Sequence, residues 1–226
     1  MKLLLIAATA AEIKPLLSYL GLKNIGEGVI QKKKIGKYNL SILVTGVGMT
    51  ATAYNMGRAF ATAKFDLAIN AGIAGSFLKN IPLGSTVNIT EELFADLGAE
   101  DDARFIDLFE IGLLNKNQPP FKNGSLKNTL STTLVSIKKL KKVKGISVNK
   151  VHGNTKNILN IMKKYSPAIE SMEGAAFHYA CLKEKINYTE IRCVSNYVEK
   201  RDRSKWNIPL AVKNLNDFLI ELLQEK

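Results

Sequence analysis

The chain has 226 residues, 46% of them hydrophobic, and a formal net charge of +12. That is enough for one sizeable core and suits a single domain over residues 1–226, and no apolar run approaches the roughly 20 residues of a membrane-spanning helix. The positive charge is concentrated in Lys32-Lys33-Lys34 and in KKLKKVKG at 138–145; without interleaved aromatics or a nucleic-acid motif these read as a solvated face, whose field would help collect an anionic small substrate, and not as a nucleic-acid surface.

The opening MKLLLIAATAA resembles a signal peptide only superficially. Its apolar core, Leu3 to Ala8, is shorter than the roughly 7–15 residues such segments use, and Glu12, Lys14 and Pro15 follow. It reads as a buried first strand, Lys2–Ala8, of a cytoplasmic protein. Thr9-Ala10-Ala11-Glu12 then opens a helix to about Leu20. Val29–Lys34 and Tyr38–Thr45 form a hairpin turning at Gly36. Gly46-Val47-Gly48-Met49 is a tight loop, followed by an alanine-rich helix over Thr50–Lys64 with Met56 and Phe60 four residues apart on one face.

Asp66–Asn70 is a short strand ending in the glycine loop Ala71–Ser76, and Ser85–Thr90 is another strand. Pro119-Pro120 and Gly124 mark 112–129 as a surface loop. Strands are predicted at Leu134–Ile137, Gly145–Val151 and Ala168–Met172, the last feeding a helix from Glu173 to about Lys185. Thr189–Asn196 is a strand and Ile208–Leu223 the closing helix. The alternation predicts an α/β fold with a central sheet flanked by helices and sites at the C-terminal ends of strands.

Cys181 and Cys193 fall in different elements and read as small core residues. His152 and His178 also lie apart, outside any triad-like motif, and no C-x-x-C or His pair suggests a metal.

Four places at strand ends carry candidate chemistry. Thr9-x-x-Glu12 matches a capping box, which on its own only satisfies backbone donors. The glycine loops Gly46-x-Gly48 and Gly72-x-x-Gly75 allow close backbone approach to a ligand, or simply make turns; neither is a dinucleotide or P-loop fingerprint. Glu173, in ESMEGAA, is an acid in a first helical turn, which the helix dipole favours in any protein. Arg192 and Asn196 share a parity in IRCVSN, so a regular strand would place them on one face about 13 Å apart, roughly the length of a nucleoside.

Taken in order, AATAAEIKPL, TGVGMTATA, NAGIAGS, ESMEGAA and IRCVSN resemble the nucleoside phosphorylase and nucleosidase superfamily over nearly the whole chain. Within it, FADLGAEDD at 94–102 and SNYVEKRDRSKWNIP at 195–209 are similar to the futalosine hydrolases, purine-releasing nucleosidases of a route to menaquinone. The resemblance implies a cofactor-free enzyme acting on a purine nucleoside, with a homodimer or higher homo-oligomer whose neighbouring subunit lines the site. It implies that Glu12 orients or deprotonates the attacking water and that Arg192 helps hold it. Glu173 would bind the ribose hydroxyls, Met172 would pack on the sugar, Gly72 would be among the substrate-binding residues, and Ser195 and Asn196 would meet the purine.

Related methylthioadenosine-type nucleosidases carry aspartate where this chain has Asn196, and serine where it has Ile73. Their aromatic base-stacker has no counterpart around Gly153-Asn154-Thr155-Lys156, leaving Phe94 and Tyr197 as candidates. An amide offers one donor and one acceptor group. With a 6-oxopurine, the NH₂ meets O6 and the C=O accepts from N7–H, which points to hypoxanthine over adenine. Asn196 cannot supply the leaving-group proton, so water or another acid must; Asp202 is a candidate, with a salt bridge to Arg201 or Arg203 as the simpler reading.

A carboxylate at Glu12 on the nucleophile side repels phosphate and favours hydrolysis over phosphorolysis. The 5′-side carboxylate of the subgroup's substrate needs a cation, for which Arg104, Arg201, Arg203 and Lys205 are open alternatives. Asp96 is a further candidate site residue.

Overall fold

The computed structural model describes residues 1–23, 25–129 and 134–225. The chain opens with strand β1 (Lys2–Ala7), whose residues after Lys2 are all buried. It runs parallel to both neighbours, β3 (Tyr38–Val44) and β4 (Leu67–Ser76), and a strand covered on both faces reads as a continuous apolar run. Helix α1 (Lys14–Tyr19) begins later than predicted, with Pro15 in its first turn. Proline lacks an N–H and suits that position rather than a helix interior. Strand β2 (Ile30–Ile35) pairs antiparallel with β3, and Gly36 turns between them at φ +52°. Helix α2 spans Met49–Thr62.

Strand β4 is twice as long as the predicted Asp66–Asn70 segment. Its glycines mark close approach by other groups instead of a turn, because the following strands pair along its whole length. Strand β5 is Thr86–Glu92, and β6 (Gly98–Asp101) and β7 (Arg104–Asp107) form a small separate hairpin with no counterpart in the predicted elements. The surface loop at 112–129 ends in a short strand, β8 (Leu126–Lys127), against β5.

The predicted strand at Leu134–Ile137 is instead helix α3 (Val135–Lys139); a short apolar run has no period that separates the two. The strand predicted at Gly145–Val151 lies earlier, as β9 (Lys141–Ser147), with Lys141 and Lys142 exposed and Val143 buried. Helix α4 (Thr155–Tyr165) is capped by Asn154, whose side chain accepts from the N–H groups of Lys156 and Asn157. The remainder is close to expectation: β10 (Ile169–Ser171), α5 (Gly174–Glu184), β11 (Tyr188–Tyr197) and α6 (Ile208–Gln224).

The nine-stranded mixed sheet has the order β10-β9-β5-β11-β4-β1-β3-β2, with β8 on β5. Strand β10 also pairs with β4, so β4, β11, β5, β9 and β10 close into a ring, and β1, β3 and β2 extend from it as an open sheet. Helices cover both faces. Leu3 and Leu5 of β1 pack with Leu16 of α1 and Leu215 and Leu219 of α6. Leu4 and Ile6 pack with Met56 and Phe60 of α2 and Phe177 of α5. Cys181 and Cys193 are both free and buried, one in each of these layers. Among the described residues no helix is long and apolar enough to cross a membrane.

Candidate active site

Four of the predicted residues converge where β4 meets β11. Arg192 on β11 lies beside Gly72 on β4 and is wholly buried. Its Nε donates to Glu190 Oε1 at 2.8 Å and its Nη2 lies 3.5 Å from Glu173 Oε2. A Cβ added to Gly72 would sit 2.1 Å from Arg192 Nη1 and 2.9 Å from Glu12 Oε1. Glycine is therefore the side chain that lets guanidinium and carboxylate close over β4.

Glu12 keeps the reciprocal bonds of a capping box but does more with them. Thr9 N–H and Oγ–H both point to Glu12 Oε2 at 3.0 Å, and Glu12 N–H points back to Thr9 Oγ at 3.4 Å. The helix starts only at Lys14, so these bonds fix a turn ahead of it. The other oxygen, Oε1, accepts from the N–H of Ile73 at 3.1 Å, which carries the carboxylate over the sheet to Arg192.

Glu173 is buried and accepts from the N–H of Gly48 at 3.0 Å. The loop TGVGM thus joins the site through a backbone donor that no side-chain motif announces. Burial pushes the Glu173 carboxyl above its ordinary range, opposed by Arg192 and that N–H. Met172 beside it is partly exposed. Behind Arg192 lie Glu190, Glu92 and His178, all buried. Burial raises Glu190, but Arg192, helped by His178, outweighs it and holds the carboxyl low. Glu92 is pushed well above the usual range by burial and then by Glu190. Arg192 Nη1 and Nη2 donate no hydrogen bond among the described residues; Nη1 lies over Gly72 with Glu12, and Nη2 lies toward Glu173.

Asn196 sits at the far end of this constellation. A β-bulge interrupts β11 between Val194 and Asn196, so Arg192 faces Gly72 while Asn196 faces Gly75. The predicted alternation therefore does not carry through, and the separation along β4 is three residues, about 10 Å, not four. Ser195, the extra residue of the bulge, has its hydroxyl 2.8 Å from Asn196 Oδ1 and 3.2 Å from the carbonyl of Ala74, while Asn196 Nδ2 donates to the carbonyl of Tyr197 at 3.1 Å. These bonds orient the amide and leave it one N–H and one acceptor site.

The two stacking candidates do not meet Asn196 as a pair. Tyr197 carries Lys79 Nζ 3.9 Å above its ring, which covers one face. Phe94 bridges to Ser147, which pairs with Ser171, so it belongs to the Met172–Glu173 side. It packs edge-on with Phe121 and Tyr179, lining a cleft of about 470 Å³ with Met49.

Of the cations, Arg104 pairs with Glu110 at 3.0 Å and Lys205 lies 3.6 Å from Glu199. Arg201 and Arg203 flank the Trp206 ring at 5.1 and 5.8 Å. Asp202 does not pair with either arginine. It caps the short turn Arg203–Lys205, and hydrogen bonds from Ser204 hold its carboxyl low. Asp96 anchors the chain after β9 by accepting from Asn149 N at 2.5 Å.

The phosphorylase superfamily model matches residues 2–224. The chain belongs to the phosphorylase superfamily. It is 28% identical over 184 residues to the futalosine hydrolase of Thermus thermophilus, covering 81% of each chain. It is 24% identical over 239 residues to the 5′-methylthioadenosine/S-adenosylhomocysteine nucleosidase of Glaesserella parasuis, covering 99% of this chain and 98% of the other. The futalosine hydrolase structure of Helicobacter pylori shares the fold with a TM-score of 0.82 at 15% identity, over 99% of this chain and 97% of that one.

Proposed function

We propose that this chain is a purine nucleosidase that hydrolyses the N-glycosidic bond of futalosine, releasing hypoxanthine and dehypoxanthine futalosine in menaquinone formation. The observation that carries the reading is the convergence of Glu12 Oε1 and Arg192 Nη1 over Gly72, about 10 Å along β4 from an amide already oriented by its neighbours.

Glu12, with Oε2 fixed by Thr9, takes the proton of a water held by Arg192, and that water attacks the anomeric carbon. Cleavage builds positive charge on the sugar and negative charge on the base. The carboxylates Glu12 and Glu173 stabilise the first, with Glu173 also receiving the ribose hydroxyls beside Met172. Asn196 receives the base edge, its free N–H on O6 and its free acceptor site on N7–H. Hydrolysis is favoured over phosphorolysis because Arg192 is already shared by Glu190 and Glu173, leaving a site too rich in carboxylates for phosphate. In this reading the chain works as a homo-oligomer joined through the apolar cleft at Met49, Phe94 and Tyr179, which sedimentation would detect.

The test is base release from futalosine with and without phosphate. Phosphate-independent hypoxanthine release is expected, and strict phosphate dependence would reject hydrolysis. A second reading, a methylthioadenosine/adenosylhomocysteine or aminofutalosine nucleosidase, is favoured by the nearly full-length match to the Glaesserella enzyme. It predicts preference for 6-amino substrates.

A further inference from the structure

Asn196 cannot protonate a leaving purine, and Asp202 is committed elsewhere. One histidine, however, stands across the sheet from Asn196. Gly75 on β4 faces Asn196 of β11 on one side and Glu170 of β10 on the other. Residues directly opposite on neighbouring strands share a face, so Glu170, Gly75 and Asn196 form one row about 10 Å wide between the outer Cα atoms. The flanking residues Ala74, Ile169 and Val194 turn the opposite way, into a common apolar cluster. A Cβ on Gly75 would lie 2.9 Å from Val198 Cγ2 and 3.2 Å from Asn196 Nδ2, so the amide and the Val198 side chain both close over the glycine.

The buried carboxylate of Glu170 is joined to His152, which follows β9. The N–H of His152 donates to Glu170 Oε1 at 3.0 Å, and its Nδ1 is hydrogen-bonded to Oε2. The histidine side chain keeps 15% exposure against 3% for Glu170, and its ring meets Phe77 edge-on at 6.4 Å. A carboxylate that accepts from Nδ1–H leaves Nε2 as the basic nitrogen, which gains a proton in the imidazolium and can then give it up. A histidine oriented by a buried acid, at the edge of a floor shared with a base-recognising amide, has the arrangement of a general acid.

Resting on the nucleosidase reading above, we propose that His152, positioned by Glu170, is the acid that protonates the departing purine. As an imidazolium bonded to Glu170 through Nδ1–H, it gives its Nε2 proton to purine N7 as the C1′–N9 bond breaks. The electron pair of that bond stays with the base. Water adds to C1′, its proton passes to Glu12, and exchange with solvent restores both groups. Phe77, beside the same ring, is then the aromatic at the base end in place of Phe94 or Tyr197.

The test compares wild type, His152→Gln and Glu170→Gln on futalosine and on its N7-methylated form, whose base leaves without needing a proton. Both variants should lose kcat on futalosine, His152→Gln by about 10²–10⁴-fold, with KM little changed, and both should keep most of their rate on the methylated nucleoside. A loss within about threefold on futalosine, or an equal loss on both nucleosides, overturns the assignment. If melting curves show that His152→Gln does not fold, Glu170→Gln, which retains the histidine, decides on the same criteria. Wild type that releases no base from either nucleoside refutes the futalosine reading itself, and the acid proposed for it falls with it.

Discussion

Arg192 and Glu190 form an ion pair at 2.8 Å inside strand β11, with both side chains wholly buried. Their spacing of two residues puts them on one face of the strand, so the backbone itself sets their contact. Removing one partner of such a pair leaves an uncompensated buried charge. Glu190→Gln is expected to destabilise the fold by about 3–5 kcal/mol, read from urea denaturation, and to loosen the guanidinium that faces Glu12.

Glu92 shapes the pH dependence of stability. Burial and Glu190 raise its carboxyl well above the ordinary 4.5. Once the unfolded chain ionises near that value, the native state holds the extra proton. Stability then falls as pH rises, by about 1.4 kcal/mol per pH unit, until the raised pKa is reached. Glu190, held low by Arg192, acts in the opposite sense: its contribution is present above 4.5 and disappears as pH falls through its lowered value. Glu92→Gln keeps the neutral form and cannot ionise, so its advantage in melting temperature over wild type should grow as pH rises above 4.5. A constant difference across that range would contradict a protonated Glu92.

Gly72→Ala tests the closure over β4. Its new Cβ would sit 2.1 Å from Arg192 Nη1, and the guanidinium is pinned by Glu190 and Glu173. The expected outcome is a loss of about 10²-fold in kcat, from misplacing the group that holds the water, measured by hypoxanthine release at saturating substrate.

Asn196→Asp tests the choice of base. An aspartic acid donates to N7 and accepts from a 6-amino group, so the ratio of kcat/KM for 6-amino over 6-oxo nucleosides should rise by about tenfold or more. Parallel assays of adenine and hypoxanthine release give that ratio directly. An unchanged ratio would show that Asn196 does not read position 6.

Much of the fold was legible in the sequence because its strands are either wholly buried or plainly alternating. The glycines of NAGIAGS read as a turn, since nothing local reveals that β11 and β10 pair along them. The bulge at Ser195 is equally silent, and it breaks the parity that linked Arg192 with Asn196. Glu12 was readable as a cap and, through the family resemblance, as a candidate base, and its two oxygens divide between the Thr9 turn and Ile73. The His152–Glu170 pair spans 18 residues and different elements, so no motif spacing exposes it; only the register of β10 on β4 puts Glu170 in one row with Gly75 and Asn196.

The ring closed by β10 has a consequence at the opposite end of the sheet. Closure leaves β2 as the outermost strand of the open side, with its outer backbone amides and carbonyls free to recruit a strand from another molecule. Lys32, Lys33 and Lys34 stand exposed along that strand. Three adjacent positive charges repel an incoming copy that would bring its own three. The lysine triplet is best understood as a guard against intermolecular β-pairing and fibre growth.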